Sequence, residues 1–171
     1  MQIPKPGIKT RPILAKVKKS LFSSLQDRLN GTYFLDLYAG TGSCGITALS
    51  KKASYCVFVE RDKTQASKIR EALENLKMDN ARVITANVFS LRLKEAFDII
   101  FLGPPYKDFL VNKTIYLIDK KALLKDNGII IAQHHKKEEV EKKIGNLILE
   151  RQKSFGETML SFYKNENSNI G

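Results

Sequence analysis

Short apolar runs broken by glycine, proline or charge recur along the chain, and most are separated by stretches whose apolar residues fall three or four apart. Tyr33 to Leu37 is the first such run and has strand composition. It breaks into a glycine-punctuated turn, Ala39-Gly40-Thr41-Gly42-Ser43-Cys44-Gly45, after which Ile46, Ala48 and Leu49 open a helix reaching about Lys51. Ahead of the strand, Leu14, Val17, Leu21, Leu25 and Leu29 recur at helical spacing and predict an amphipathic helix from about Pro12 to Leu29. Residues 1–9, with Pro4, Pro6 and Gly7, read as an extended arm.

The alternation continues. Tyr55 to Val59 is a second strand ending at Glu60. Asp62 and Gln65 form a capping-box pattern, and Ala66, Ile69, Leu73 and Leu76 supply the buried stripe of the helix they open. Arg82 to Thr85 and Phe97 to Leu102 are the third and fourth strands. A helix is expected over Phe109 to Lys120 with Asp108 as its N-cap, then a fifth strand, Gly128 to Ala132. A short charged helix is expected from Glu138 to Lys143. Leu147 to Glu150 and Thr158 to Tyr163 should then pair as an antiparallel hairpin about Phe155-Gly156.

Strands alternating with helices predict an α/β fold, Rossmann-like, with a mostly parallel doubly wound sheet of about seven strands and a C-terminal antiparallel hairpin. The domain organisation expected is a basic arm and helix over 1–30, one catalytic-type domain over 31–164 and a frayed tail over 165–171. Ligands of such sheets lie beyond the carboxyl ends of the strands.

Composition narrows the classes. A hydrophobic content of 43% without low-complexity tracts indicates a folded globule. No run of about 18 apolar residues suggests a membrane span, and no charged-then-apolar leader suggests secretion. Cys44 and Cys56 are too few for a disulfide framework and lack metal-ligand companions, so reduced thiols, a cytoplasmic setting and no metal are expected. The net charge of +11 changes the picture most. Seven of the cations precede Asn30 against one acid, Asp27, and such a basic segment suits phosphate contacts. Its bland alternative is a solvated lysine face.

The chemistry gathers where strands end. Asp36 directs a carboxylate at the turn of Gly40 and Gly42, which suits a cationic or amino-bearing ligand such as S-adenosylmethionine (SAM) better than a phosphate. Glu60, about 20 residues beyond the glycines, is placed to accept both hydroxyl protons of a ribose. Asn87 offers a donor and an acceptor to an adenine edge, or serves only as a turn residue. In Gly103-Pro104-Pro105-Tyr106 two prolines remove two donors and leave carbonyls facing outward, followed at once by a ring able to stack on an extruded base.

With these residues in view, the chain resembles the class I SAM-dependent methyltransferases, and within them the RsmD family, which methylates guanine N2 of small-subunit ribosomal RNA. The shared residues are Arg11-Pro12, Leu35-Asp36, Ala39-Gly40, Gly42, Gly45, Ala48-Leu49-Ser50, Phe58-Val59-Glu60, Asn75-Leu76, Phe97-Asp98, Pro104-Pro105-Tyr106, Arg151, Phe155-Gly156 and Leu160-Ser161-Phe162-Tyr163. The resemblance implies that Asp36, Ala39, Gly40 and Gly42 hold the methionine part of SAM, Glu60 the ribose, and Asn87 with Val88 the adenine. It implies that Gly103, Pro104, Pro105 and Tyr106 receive the target base. Lys9, Arg11, Lys16, Lys136 and Lys137 would hold RNA, and the partner would be ribosomal RNA or an assembling small subunit, met by a monomer.

Three positions depart from the family pattern. Gly103 stands where an acidic residue, or Asn in wider relatives, precedes Pro-Pro. Asn87 replaces a usual Asp, and Ile13 a usual Thr. Gly103 brings no side-chain acceptor for an amine, which leaves two other readings open: a homologue that binds SAM or RNA without catalysis, and an adenine-N6 DNA methyltransferase sharing the Pro-Pro-Tyr turn.

Overall fold

The apolar stripe ahead of the first strand folds as α1, Ala15–Leu25, with Val17, Leu21, Phe22 and Leu25 on its buried side. It is shorter than its periodicity predicts. Asn30 and Gly31 turn the chain, Gly31 at φ +79°, and Leu29 is buried from outside the helix, its carbonyl accepting from the Thr32 N–H and hydroxyl. The computed structural model describes residues 13–168, in two compact units, Met1–Ser90 and Leu91–Gly171.

After α1 the first unit contains β1 (Tyr33–Leu37), α2 (Ser43–Ser50), β2 (Tyr55–Glu60), α3 (Lys63–Asn75) and β3 (Ala81–Thr85). Its three strands are parallel, in the order β3-β2-β1. Leu37 pairs with Val59 and Val59 with Ile84, so the three carboxyl ends are level. That register brings the glycine turn, Glu60 and Asn87 to one edge. β1 and β2 are apolar nearly throughout, with Phe34, Leu35, Val57 and Phe58 fully buried, as strands covered on both faces require, whereas β3 has no buried residue.

The second unit contains β4 (Phe97–Leu102), α4 (Val111–Lys120), β5 (Leu124–His135), β6 (Lys143–Ile144), β7 (Leu147–Phe155) and β8 (Thr158–Asn165), in the order β4-β5-β8-β7-β6. β4 and β5 are parallel; β8, β7 and β6 continue antiparallel. The expected hairpin is present, with Phe155 opposite Thr158 and Gly156 at φ +59°.

Four expectations need correction. Residues 138–143 do not form a helix: they run as loop into the two-residue β6, which raises the strand count among the described residues to eight. Tertiary partners take this segment's groups, since the Glu141 N–H donates to Asn112 Oδ1 (3.0 Å) and its carbonyl accepts from the Tyr163 hydroxyl (2.5 Å). Asp108 does not cap α4, which begins at Val111 behind Leu110. The Val111 N–H donates instead to Glu138 Oε2, 3.0 Å away and 27 residues on. The fifth strand extends to His135, paired with β8 as far as Thr158. Asn165 is not frayed: it closes β8 and its amide donates to the carbonyls of Lys125 and Asp126, and the Glu166 N–H donates to the Asn146 carbonyl; residues 169–171 lie outside the described residues.

Candidate functional site

In the first unit the glycine turn is clasped from both sides. The Ala39 N–H donates to the Val59 carbonyl (2.9 Å) and the Gly40 N–H to Glu60 Oε1 (2.8 Å), while the Gly42 N–H returns to the Ala39 carbonyl (2.8 Å). Tyr38, Gly40 and Gly42 have φ of 60°, 59° and 78°. Glycine meets this left-handed path without strain, whereas Tyr38 pays for it. Gly45 is required for a different reason: a Cβ there would lie 2.2 Å from the ring of Phe58.

Asp36 is 1% exposed and lies under the turn, its Oδ2 accepting the Gly45 N–H at 3.0 Å. Burial raises its pKa to about 8, the Gly45 bond opposes this, and the charge of Glu60 adds to it. The carboxyl thus shapes the turn from below. Glu60 uses both oxygens on the backbone, Oε1 on Gly40 and Oε2 on the Asp62 N–H at 2.7 Å. The expected capping box is therefore only half formed: Asp62 Oδ1 accepts the Gln65 N–H, but Glu60 takes the place expected of the Gln65 side chain. Each carboxylate oxygen keeps a second lone pair for a ribose hydroxyl. Asn87 is exposed and its Oδ1 accepts the Phe89 N–H at 2.9 Å, opening a 3-10 turn over Val88–Ser90 in which Val88 is buried. Its acceptor serves that turn, which leaves the amide NH₂ as the group suited to an adenine nitrogen.

Sequence reasoning missed Lys18. Its ammonium donates to Ser43 Oγ at 2.6 Å, so a positive charge sits at the N-terminus of α2, whose first turn carries no acid. A cation and a helix N-terminus together suit a carboxylate. Within a run of lysines on an amphipathic helix nothing local distinguishes this one, because its partner is 25 residues away. The turn, the Glu60 carboxylate and this cation are a donor set that fits an amino acid joined to a nucleoside.

In the second unit, Gly103 is half-buried, and a Cβ there would meet only the Phe101 ring, at 3.5 Å, an ordinary contact; its φ is outside the left-handed region. Pro104 is buried and Pro105 exposed, and the Pro105 carbonyl accepts the Asp108 N–H (3.2 Å), so that carbonyl serves the turn and does not face outward unpartnered as expected. The Tyr106 hydroxyl receives from Gln133 Nε2 (2.7 Å) and lies 3.1 Å from Thr158 Oγ1; the His135 ring meets its ring edge-on at 6.1 Å. A half-buried ring fixed at its far end is a preorganised stacking surface. The predicted closing hairpin thus supports the turn through Thr158.

Lys16 is exposed on α1. Lys136 and Lys137 are exposed in the turn after β5, where Lys136 pairs with Glu157 at 2.9 Å, so its charge is partly offset. Lys9 and Arg11 lie outside the described residues. Cys44 and Cys56 are buried and burial pushes both thiols up, away from reactivity. Among the described residues no cluster of His, Cys, Asp or Glu could hold a metal, and no helix is long and apolar enough to cross a membrane.

Comparison with known proteins bears on this chemistry. The sequence profile of the family described as Conserved hypothetical protein 95 matches residues 2–164. A Bacillus subtilis protein, YlbH, provisionally named an rRNA methyltransferase, is 34% identical over 164 residues, 92% of this chain and 89% of its own length. Ribosomal RNA small subunit methyltransferase D of Escherichia coli K12 is 29% identical over 163 residues, 94% of this chain and 81% of that protein. The solved structure of yhhF from Escherichia coli, provisionally named a methyltransferase, superposes with a TM-score of 0.82 at 28% identity, covering 96% of this chain and 90% of the other.

Proposed function

This chain belongs to the family of Conserved hypothetical protein 95, the RsmD family of rRNA methyltransferases, and from that membership we propose how its residues serve SAM-dependent methylation of ribosomal RNA. The observation that carries the assignment of roles is Glu60, which ends β2 and grips the Gly40 N–H with one oxygen. A glycine turn tied to an acid that still has lone pairs is built for a ribosyl ligand that approaches the backbone closely.

SAM supplies a methyl group on a positively charged sulfur. Gly40 and Gly42, with Ala39, shape the bed for its methionine part, Asp36 supports that bed from below, and Lys18 with Ser43 meets the α-carboxylate. Glu60 accepts the ribose hydroxyls; Asn87 and Val88 border the adenine. The Gly103–Tyr106 turn receives the target base, Tyr106 stacking on it and the carbonyls of Gly103 and Pro104 holding its amine protons. The proposed acceptor is the exocyclic N2 of a guanine in small-subunit rRNA. Its lone pair is delocalised into the ring, so orientation and proton acceptance decide the rate. Lys9, Arg11, Lys16, Lys136 and Lys137 contact phosphates, and the protein works as a cytoplasmic monomer on RNA or assembling subunits.

Gly103 favours a second reading, a homologue that binds SAM and RNA without turning over, because no side chain at that position accepts an amine proton. Transfer of labelled methyl from SAM to unmodified small subunits, with the modified nucleoside identified afterwards, separates the two. Recovery of N2-methylguanosine supports the first. Micromolar SAM binding with no transfer to any acceptor supports the second, methylated adenine in duplex DNA would replace both, and absence of SAM binding would overturn the assignment of roles.

A further inference from the structure

Immediately past the Pro-Pro-Tyr turn, Phe109 occupies the left-handed region, φ 48° and ψ 55°, with its side chain 57% exposed. A bulky aromatic residue there is strained, and glycine or asparagine would relieve the strain. Burial does not compensate, because most of the ring faces solvent. Next comes α4, whose buried side is Val111, Thr114, Ile115 and Ile118. Its opposite side carries Lys113, Tyr116 and Lys120, all exposed, Tyr116 at 57%. Steps of three and four residues put these three side chains in one row about 10 Å long. The nearby Asp119 accepts the Asn146 N–H (3.1 Å), and Lys107 adds a cation beside Phe109.

We propose that Phe109 and the outer face of α4 form a stacking platform for single-stranded RNA, with Phe109 and Tyr116 taking bases and Lys107, Lys113 and Lys120 the backbone phosphates. The reasons are chemical. Two exposed rings with Lys113 between them along the chain, and Lys107 and Lys120 to either side, match the alternation of bases and phosphates along an unpaired strand. A protein partner would want a contiguous apolar patch poor in lysine, and here the exposed rings and lysines alternate along the chain. A chain of net charge +11 attracts the same polyanion, and Phe109 is three residues from Tyr106, so the platform continues the turn proposed to take the target base. It rests on the rRNA reading for its biological substrate, but binding of single-stranded RNA does not require methyl transfer.

The test is anisotropy titration of a short labelled single-stranded RNA of mixed sequence with the full chain, beside thermal unfolding and SAM binding of each variant. Phe109→Gly should bind the RNA about tenfold more weakly while unfolding at the same or a higher temperature, since it relieves the strain. Phe109→Trp should restore binding. Tyr116→Ala should lose several-fold and Tyr116→Phe nothing, because a ring and not a hydroxyl is used. Lys113→Gln combined with Lys120→Gln should reduce the slope of log affinity against log salt by about 1.4. SAM affinity should be unchanged throughout. Wild-type affinity in Phe109→Gly and Tyr116→Ala would overturn the platform even if the enzyme methylates rRNA. Their weakened binding alongside absent methyl transfer would uphold it and count against the rRNA methyltransferase assignment instead.

Discussion

The glycine turn after β1 and the Gly-Pro-Pro-Tyr turn after β4 use glycine for opposite reasons. In the first, geometry demands it: Gly40 and Gly42 have positive φ, and a Cβ on Gly45 would collide with Phe58. In the second, a Cβ on Gly103 would meet the Phe101 ring at ordinary distance and the backbone is open to any L-residue. Glycine is therefore obligatory at one turn and optional at the other. An optional glycine at a strand end leaves room for an acceptor side chain without disturbing the fold.

The largest effect should come from filling the optional position. Gly103→Asp supplies a carboxylate to hold an amine proton and is expected to raise the methyl-transfer rate about 10²- to 10⁴-fold, roughly 3 to 5 kcal/mol of transition-state stabilisation. Its stability should stay within about 0.5 kcal/mol of the parent. Parallel single-turnover assays and denaturant melts check both halves, and a large loss of stability would erase the contrast between the turns. Next, Gly45→Ala should destabilise by about 3 kcal/mol, because Phe58 is fully buried and has nowhere to move; urea unfolding measures it.

Glu60→Gln tests what grips the obligatory turn. One carboxylate oxygen becomes an NH₂ facing a backbone N–H, so either Gly40 or Asp62 loses its acceptor. SAM affinity by calorimetry should fall at least about tenfold, with about 1 to 3 kcal/mol lost from stability. The last effect is read against pH, as a slope rather than a loss at one pH, and concerns Asp36. Its folded pKa, about 8, exceeds the 3.8 of the free group, so the stability due to its proton is fully present below about pH 4. It is lost as pH rises toward about 8. The slope has a ceiling of about 1.4 kcal/mol per pH unit. Asp36→Asn keeps an oxygen for the Gly45 N–H and should unfold with a flatter pH profile than the parent; identical profiles would mean that Asp36 is ionised in the fold.

Local periodicity and turn chemistry were enough to predict β1 and β4 to the residue, the extent of β2, the glycine turn and the hairpin at Gly156. Each is dictated by neighbours within a few positions: apolar runs long enough for a strand, and glycines where the chain needs positive φ. Asp36, Glu60 and Asn87 could be placed at strand ends because parallel strands in register level their carboxyl ends. Their hydrogen bonds could not be read in advance. Lys18 finds Ser43 across 25 residues, Glu60 finds Gly40 across 20, and Val111 finds Glu138 across 27. The last of these shows why residues 138–143, charged enough to suggest an exposed helix, became loop: the acid was drawn inward to a helix end. Periodicity records which side of an element is buried, and that much the amino-acid sequence determines alone. A side-chain bond between distant segments leaves no periodic trace, so the tertiary structure alone decided which polar groups shape the turns, which remain available to a ligand, and that Gly103 has room for the side chain it lacks.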